Sequence, residues 1–169
     1  ILGDDEDVLG RLVQCGKKGN ATDVLRVTTE SPFIYFEAIE KAWEEHVRGN
    51  YDFTCLDHVP DGSGFELTKW ETLQYAHEHG EQKHRSEFCS LYLRENAERF
   101  KIQQVEPPSE VKRMDIRLTI DYPEDLILCR AVYSQFKEKA PFIPLAEVIQ
   151  YLDENPELKK IVEPWVEGV

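Results

Sequence analysis

Apolar residues recur along this chain at two spacings, about 3.6 residues in some stretches and two in others, and the two kinds of stretch alternate. Such alternation predicts an α/β fold in one domain, residues 1–169. Val8, Leu9, Leu12 and Val13 follow the acids Asp4 to Asp7, the pattern of a helix start, and Gly16 to Asn20 closes that helix. Asp23 to Thr28 reads as a strand, and Phe36 to Arg48 as a helix with Phe36, Ile39, Trp43 and Val47 on its apolar side. Tyr51 to Leu56 is a second strand, followed by a loop whose turn is Pro60-Asp61-Gly62. Phe65 to Leu67 is a short strand. Helices are expected over Lys69 to His79 and Lys83 to Asn96, then a strand over Phe100 to Val105. Pro144 and Pro156 open the last two helices.

One stretch organises the rest. Ile116 to Ile120 reads as a buried strand that turns at Asp121 into a helix with Leu126, Cys129, Tyr133 and Phe136 on one face. Pro123 suits a first helical turn, and Glu124 stands where a capping acid belongs. Asp121 is open to two readings: the N-cap of that helix, or a carboxylate at the strand edge where ligands of open α/β sheets collect.

Composition narrows the partners. With 41% hydrophobic and 31% charged residues the chain has a globular profile. A formal charge of −13 disfavours nucleic acid, which needs clustered Lys and Arg, but allows a nucleotide bridged by a divalent cation. Cys15, Cys55, Cys89 and Cys129 form no CxxC and suit free thiols in a reducing cytoplasm. No apolar run reaches the ~20 residues of a membrane span.

The candidate chemistry is carboxylate chemistry. Glu30, Glu66 and Asp121 sit where predicted strands end or begin, and two such acids converging would suit Mg²⁺, which takes one or two carboxylates plus phosphate and water. Their plain structural alternatives are a turn acid, a strand surface acid and an N-cap. Arg26, Lys69 and Arg117 could neutralise phosphate or make ordinary ion pairs. His77, His79 and His84 complete no zinc pattern and read as surface residues near a helix end. There is no GxSxG, GxGxxG or GxxxxGK[ST].

Five segments in order resemble the cytidylyltransferase family, in particular its SpsF-like branch, related to acylneuraminate and Kdo cytidylyltransferases. They are Asp5 to Arg11, Val24 to Ile34, Pro60 to Glu66, Leu93 to Asn96 and Arg117 to Leu126, with Asn155 to Leu158 closing the match. The resemblance implies a three-layer α/β/α sandwich of the nucleotide-diphospho-sugar transferase type, with a mixed, mainly parallel sheet. It implies a nucleotidyl transfer in which CTP activates a sugar for cell-surface polysaccharide synthesis. It places the catalytic, Mg²⁺-binding acids at Asp121 and Glu30, and substrate contacts at Arg26, Asp61, Glu66 and Glu87. It further implies a nucleotide-binding start upstream of Ile1, so the expected architecture is truncated at its N-terminus, with nucleotide and sugar as ligands, neither nucleic acid nor membrane as partner, and a homodimer as a possible assembly. Three departures from the family pattern stand out: Thr29-Glu30 replaces Gly-Asp, Ser86-Glu87-Phe88 replaces Arg-Glu-His, and Gly64 replaces an Asp common in the loop strand. A non-catalytic binding module of the same fold, and a glycosyltransferase, remain the alternatives.

Overall fold

A computed structural model describes residues 1–166. The chain sorts into two compact units: residues 1–26, 42–55 and 66–104 form the first, and residues 27–41, 56–65 and 105–169 the second.

The first unit holds a four-stranded sheet. Its strands are β1 (Asp23–Arg26), β2 (Phe53–Cys55), β3 (Glu66–Lys69) and β4 (Ile102–Gln104), in spatial order β1-β3-β2-β4. β3 runs antiparallel to both β1 and β2, and β4 runs parallel to β2. Three strands therefore point one way and β3 alone is reversed, the mixed sheet that the family resemblance implied. Successive side chains of β2 point to opposite faces, as a pleat requires. Phe53 and Cys55 join Leu9, Leu73, Ala76, Cys89, Tyr92 and Leu93 in a buried cluster. That face is covered by α1 (Val8–Lys18), α3 (Trp70–His79) and α4 (Leu91–Glu95). Thr54 points the other way and meets His46 of α2 (Ile39–Gly49), whose Nδ1 lies 2.8 Å from the Thr54 hydroxyl. Helices thus lie on both faces of the sheet.

Local sequence explains the ends of these elements. Asp7 caps α1 by accepting the Gly10 N–H at 2.8 Å. The expected helix over Lys83 to Asn96 is broken. A 3₁₀ turn at Gln82–Arg85, a loop, the single short α4 and a second 3₁₀ turn at Ala97–Arg99 take its place. His84 lies within the broken stretch. It is buried, not on the surface as expected: its Nδ1 accepts the Glu81 N–H at 2.7 Å and its Nε2 donates to Glu95 at 2.8 Å. The inner face of α2 also differs from expectation. Ala42 and His46 are buried there, whereas Trp43 and Val47 are exposed. A histidine satisfied at both ring nitrogens is a good interior residue, and hydrophobic patterning does not score it.

The second unit is helical around an extended segment. Its helices are α5 (Pro123–Phe136), α6 (Leu145–Glu154) and α7 (Pro156–Val162), with α7 packed on both α5 and α6. Among the described residues, the segment from Ile116 to Ile120, expected as a strand, makes only a single parallel bridge, Arg117 with Asp61. Asp61 N–H donates to the Ile116 carbonyl at 2.9 Å, and Leu118 N–H to the Asp61 carbonyl at 2.7 Å. Gly62 lets this contact form: its φ is +84°, and a Cβ there would lie 2.6 Å from the Thr119 nitrogen. The inner face of α5 is Asp125, Leu128, Cys129 and Val132, with Leu126 and Tyr133 exposed. That is a rotation away from the apolar face read from the sequence, and its cause lies in the chemistry of Asp125.

Candidate functional site

Arg117 is a buried cation, 8% exposed, on the extended segment that leads into α5. It forms the hub of a carboxylate cluster. Its Nε and one Nη grip Asp125 in a two-pronged contact at 2.9 and 3.0 Å. The same Nη reaches Asp121 Oδ2 at 2.6 Å, and the other Nη reaches Asp61 at 2.7 Å. A planar, forked guanidinium suits this role, because it can satisfy several carboxylate oxygens at fixed angles. Asp125 also accepts the backbone N–H groups of Asp121 and Tyr122, at 2.9 and 3.0 Å. It is therefore Asp125 that closes the start of α5, in place of Glu124, with Tyr122 as the N-cap residue. Asp121 is not the N-cap.

The electrostatics follow from these contacts. Burial alone would raise the Asp125 carboxyl, but the bonds from Arg117 and from two backbone N–H groups outweigh it and hold the group below the usual carboxylate range. The hydrogen bonds that Arg117 donates to Asp125 in turn push Arg117 further up, against the effect of burial. Burial next to Asp125 raises the Cys129 thiol to about 12, so this cysteine is inert as a nucleophile at neutral pH. Because the folded Asp125 binds its proton more weakly than the unfolded chain does, its contribution to stability is complete above the unfolded carboxyl value of about 3.9 and is lost as pH falls below it. Urea unfolding followed from pH 6 down to pH 3 should show a falling midpoint, and the fall should be shallower in Asp125→Asn. An identical fall in both proteins would remove Asp125 as the cause.

The acids proposed from sequence fall into two groups. In the second unit, the Ile120 N–H donates to the Glu30 carbonyl at 2.9 Å, which seats Glu30 beside the residue that precedes Asp121. The Asp121 side chain is 49% exposed, with one oxygen given to Arg117. Asp61 joins the same cluster through Arg117. In the first unit, Arg26 bonds Glu66 at 3.3 Å and the Glu87 carbonyl at 2.7 Å. Glu66 further accepts from Ser90 and Arg94. Its carboxylate is spent on this network, and the space bounded by Arg26, Glu66, Cys89 and Ser90 holds no water-sized cavity. Glu87 contributes its backbone to the network and leaves its side chain exposed. A hollow of about 320 Å³ in this unit is lined by Asp23, His46, Lys69 and Trp70 among others, and by none of the acids singled out from sequence.

Among the described residues no group of three or more His, Cys, Asp or Glu is arranged to hold a metal ion. Mg²⁺ needs only one or two carboxylates when phosphate and water complete its shell, and Glu30 and Asp121 are of that donor type. What sequence reasoning missed is Arg117 as the organiser and Asp125 as its main partner. The spacing of the two, eight residues across a strand-to-helix turn, was the available signal.

Comparison with known proteins bears on this arrangement. A family model described as cytidylyltransferase matches residues 2–161. An uncharacterised protein of Methanocaldococcus jannaschii is 30% identical over 159 residues, covering 94% of this chain and 65% of that protein. The spore coat polysaccharide biosynthesis protein SpsF of Bacillus subtilis is 26% identical over 156 residues, covering 92% of this chain and 65% of SpsF. A solved cytidylyltransferase from Leptospira borgpetersenii serovar Hardjo-bovis shares the fold, with a TM-score of 0.82 at 22% identity over 92% of this chain and 66% of that one. The chain thus spans about 65% of the length of the curated relatives it matches.

Proposed function

Because the chain belongs to the cytidylyltransferase family, we propose that it carries the acid cluster of a nucleotidyltransferase that activates a sugar with CTP for cell-surface polysaccharide synthesis. In that reaction a sugar hydroxyl oxygen attacks the α-phosphorus of CTP. A new P–O bond forms to the sugar, the bond to the bridging oxygen of the β-phosphate breaks, pyrophosphate leaves, and the hydroxyl proton passes to a base.

The observation that carries the reading is the junction at Ile120. Its N–H ties the Glu30 backbone to the residue before Asp121, which supports a reading in which the two acids that the family pattern selects act together. Glu30 and the Asp121 oxygen not given to Arg117 would hold Mg²⁺. When bound, the ion would neutralise charge on the triphosphate and the leaving pyrophosphate. The protein's own part is positional. Arg117 fixes Asp121 in one orientation, and the buried Asp125 fixes Arg117.

Calorimetric titration of the chain with CTP and Mg²⁺ tests this. Binding heat is expected in the wild type, with affinity weakened at least about tenfold, or about 1.4 kcal/mol, in Asp121→Asn. Wild-type heat that survives unchanged in Asp121→Asn would remove that residue from the site. The absence of heat in the wild type would favour the second reading, a binding module without catalysis. The commitment of one Asp121 oxygen to Arg117 and the Thr29-Glu30 departure both argue in that direction.

A further inference from the structure

Next to Asp121 the chain builds an aromatic platform that the reaction chemistry leaves unexplained. Tyr122 and Trp165 stack with ring centroids 4.0 Å apart and planes 15° from parallel. The Arg117 guanidinium carbon lies over the Tyr122 ring, 5.7 Å from its centroid. Guanidinium, phenol and indole therefore form a short stack. α7 packs on α5, and the 3₁₀ turn Glu163–Trp165 that follows α7 sets the indole on Tyr122, just ahead of α5. Tyr122 is 42% exposed and Trp165 is 38% exposed, so two large stacked rings are left partly open to solvent.

We propose that Trp165 and Tyr122, with the Asp121 carboxylate beside them, form a subsite for the ring of a neutral sugar. A pyranose carries weakly positive C–H groups on one face and hydroxyl donors around its rim. The negative π face of an aromatic ring suits the first, and a carboxylate, which only accepts, suits the second. Trp165 lays one face on Tyr122 and keeps 38% of its surface exposed to a ligand. The local charge selects against a phosphate-bearing ligand unless a cation accompanies it. Arg117 already serves both Asp121 and Asp125, so two carboxylates share one guanidinium beside the rings. Uncharged hydroxyls meet no such repulsion. This subsite deepens the functional reading above by naming side chains for its acceptor, yet its test needs no nucleotide.

The 169-residue chain contains three tryptophans. Labelled with 5-fluorotryptophan, it can be titrated with glucose, N-acetylglucosamine and glucuronic acid at millimolar concentration, without nucleotide or metal. The Trp165 resonance is identified by its loss in Trp165→Phe. A saturable shift of that resonance is expected with at least one neutral sugar, and a weaker response to glucuronic acid at low salt. By calorimetry, Trp165→Ala should weaken the same sugar at least tenfold, and Trp165→Phe, which keeps an aromatic face, by less. The proposal is overturned if neither neutral sugar moves the Trp165 resonance, or if Trp165→Ala binds as tightly as the wild type. Thermal unfolding of Trp165→Ala separates lost binding from lost folding, and the wild-type titration decides alone if that variant fails to fold. Sugar binding without any response to CTP and Mg²⁺ would uphold the subsite while the transfer reading fails. Transfer with an unchanged sugar KM in Trp165→Ala would do the reverse.

Discussion

Replacing Arg117 by Met should destabilise the protein by about 3–5 kcal/mol, the usual loss when one partner of a buried ion pair is removed. The reason is what stays behind. The Asp125 side chain is fully buried and Arg117 is 8% exposed, so the truncation strands a carboxylate away from water with only two backbone N–H groups for company. Asp61 and Asp121 lose the same partner, but both are about half exposed and can turn to solvent. Their share is correspondingly small, as for surface pairs generally. Asp125→Asn keeps an acceptor for the two N–H groups while removing the charge. The double variant Arg117→Met/Asp125→Asn should therefore be more stable than Arg117→Met alone, and the coupling can be read from a double-mutant cycle in urea. A loss below about 1 kcal/mol in Arg117→Met would mean that the cluster is a surface feature and does not organise this end of the fold.

Gly62→Ala is the second large effect, at about 2–5 kcal/mol. Two costs combine. A residue with a Cβ loses about 1–2 kcal/mol in the left-handed region, and Gly62 sits at φ +84°. The added Cβ would also stand 2.6 Å from the Thr119 nitrogen and 2.9 Å from the Leu118 carbonyl carbon. Both are main-chain atoms and cannot rotate away, so the loop must lift, at about 1–3 kcal/mol for an overpacked contact. Lifting it would pull Asp61 off the Ile116–Leu118 backbone and weaken its pair with Arg117. Gly19→Ala is the control. Gly19 has φ −83°, its Cβ would come no closer than 3.4 Å to the Cys15 carbonyl oxygen, and the substitution should change stability by less than about 1 kcal/mol. Denaturation midpoints for the two variants check the contrast, and equal effects would discount the backbone clash.

Both effects concern the stretch that stands at the centre of the sequence pattern and whose construction that pattern misrepresents. Arg117 to Leu126 is legible as a strand-like segment, an acid and a helix, because Pro123 and the acids beside it are local signals. The helix does run from Pro123 to Phe136. Its inward face is not legible. Periodicity counts Leu126 and Tyr133 as interior and Asp125 as exterior, yet Asp125 is buried and they are exposed. A charged residue can point inward only where a partner waits, and Arg117 is brought there by a turn that no helical period describes. His46 and His84 escape notice for the same reason, since each is admitted to the interior by hydrogen-bond partners at both ring nitrogens.

The candidate site divides in a similar way. Motif selects Glu30 and Asp121, and the fold does join their segments through the Ile120 N–H. Glu66 and Arg26, expected as substrate contacts, are bonded to each other, which spends the charges that would have met a ligand. Trp165 carries no signal of its place in the cluster, because it lies far beyond Asp121 in the chain with no motif to tie the two.

The sequence by itself determined the α/β class, the free cysteines and the family, since each depends on neighbours within a turn or on a pattern that survives along the chain. Only the tertiary structure decided which carboxylate is buried, which cation holds it, and which aromatic rings stand beside it. Those outcomes depend on the desolvation of charges and the stacking of rings contributed by residues far apart in the chain, and the energies that settle them exist only once the chain has closed around Arg117.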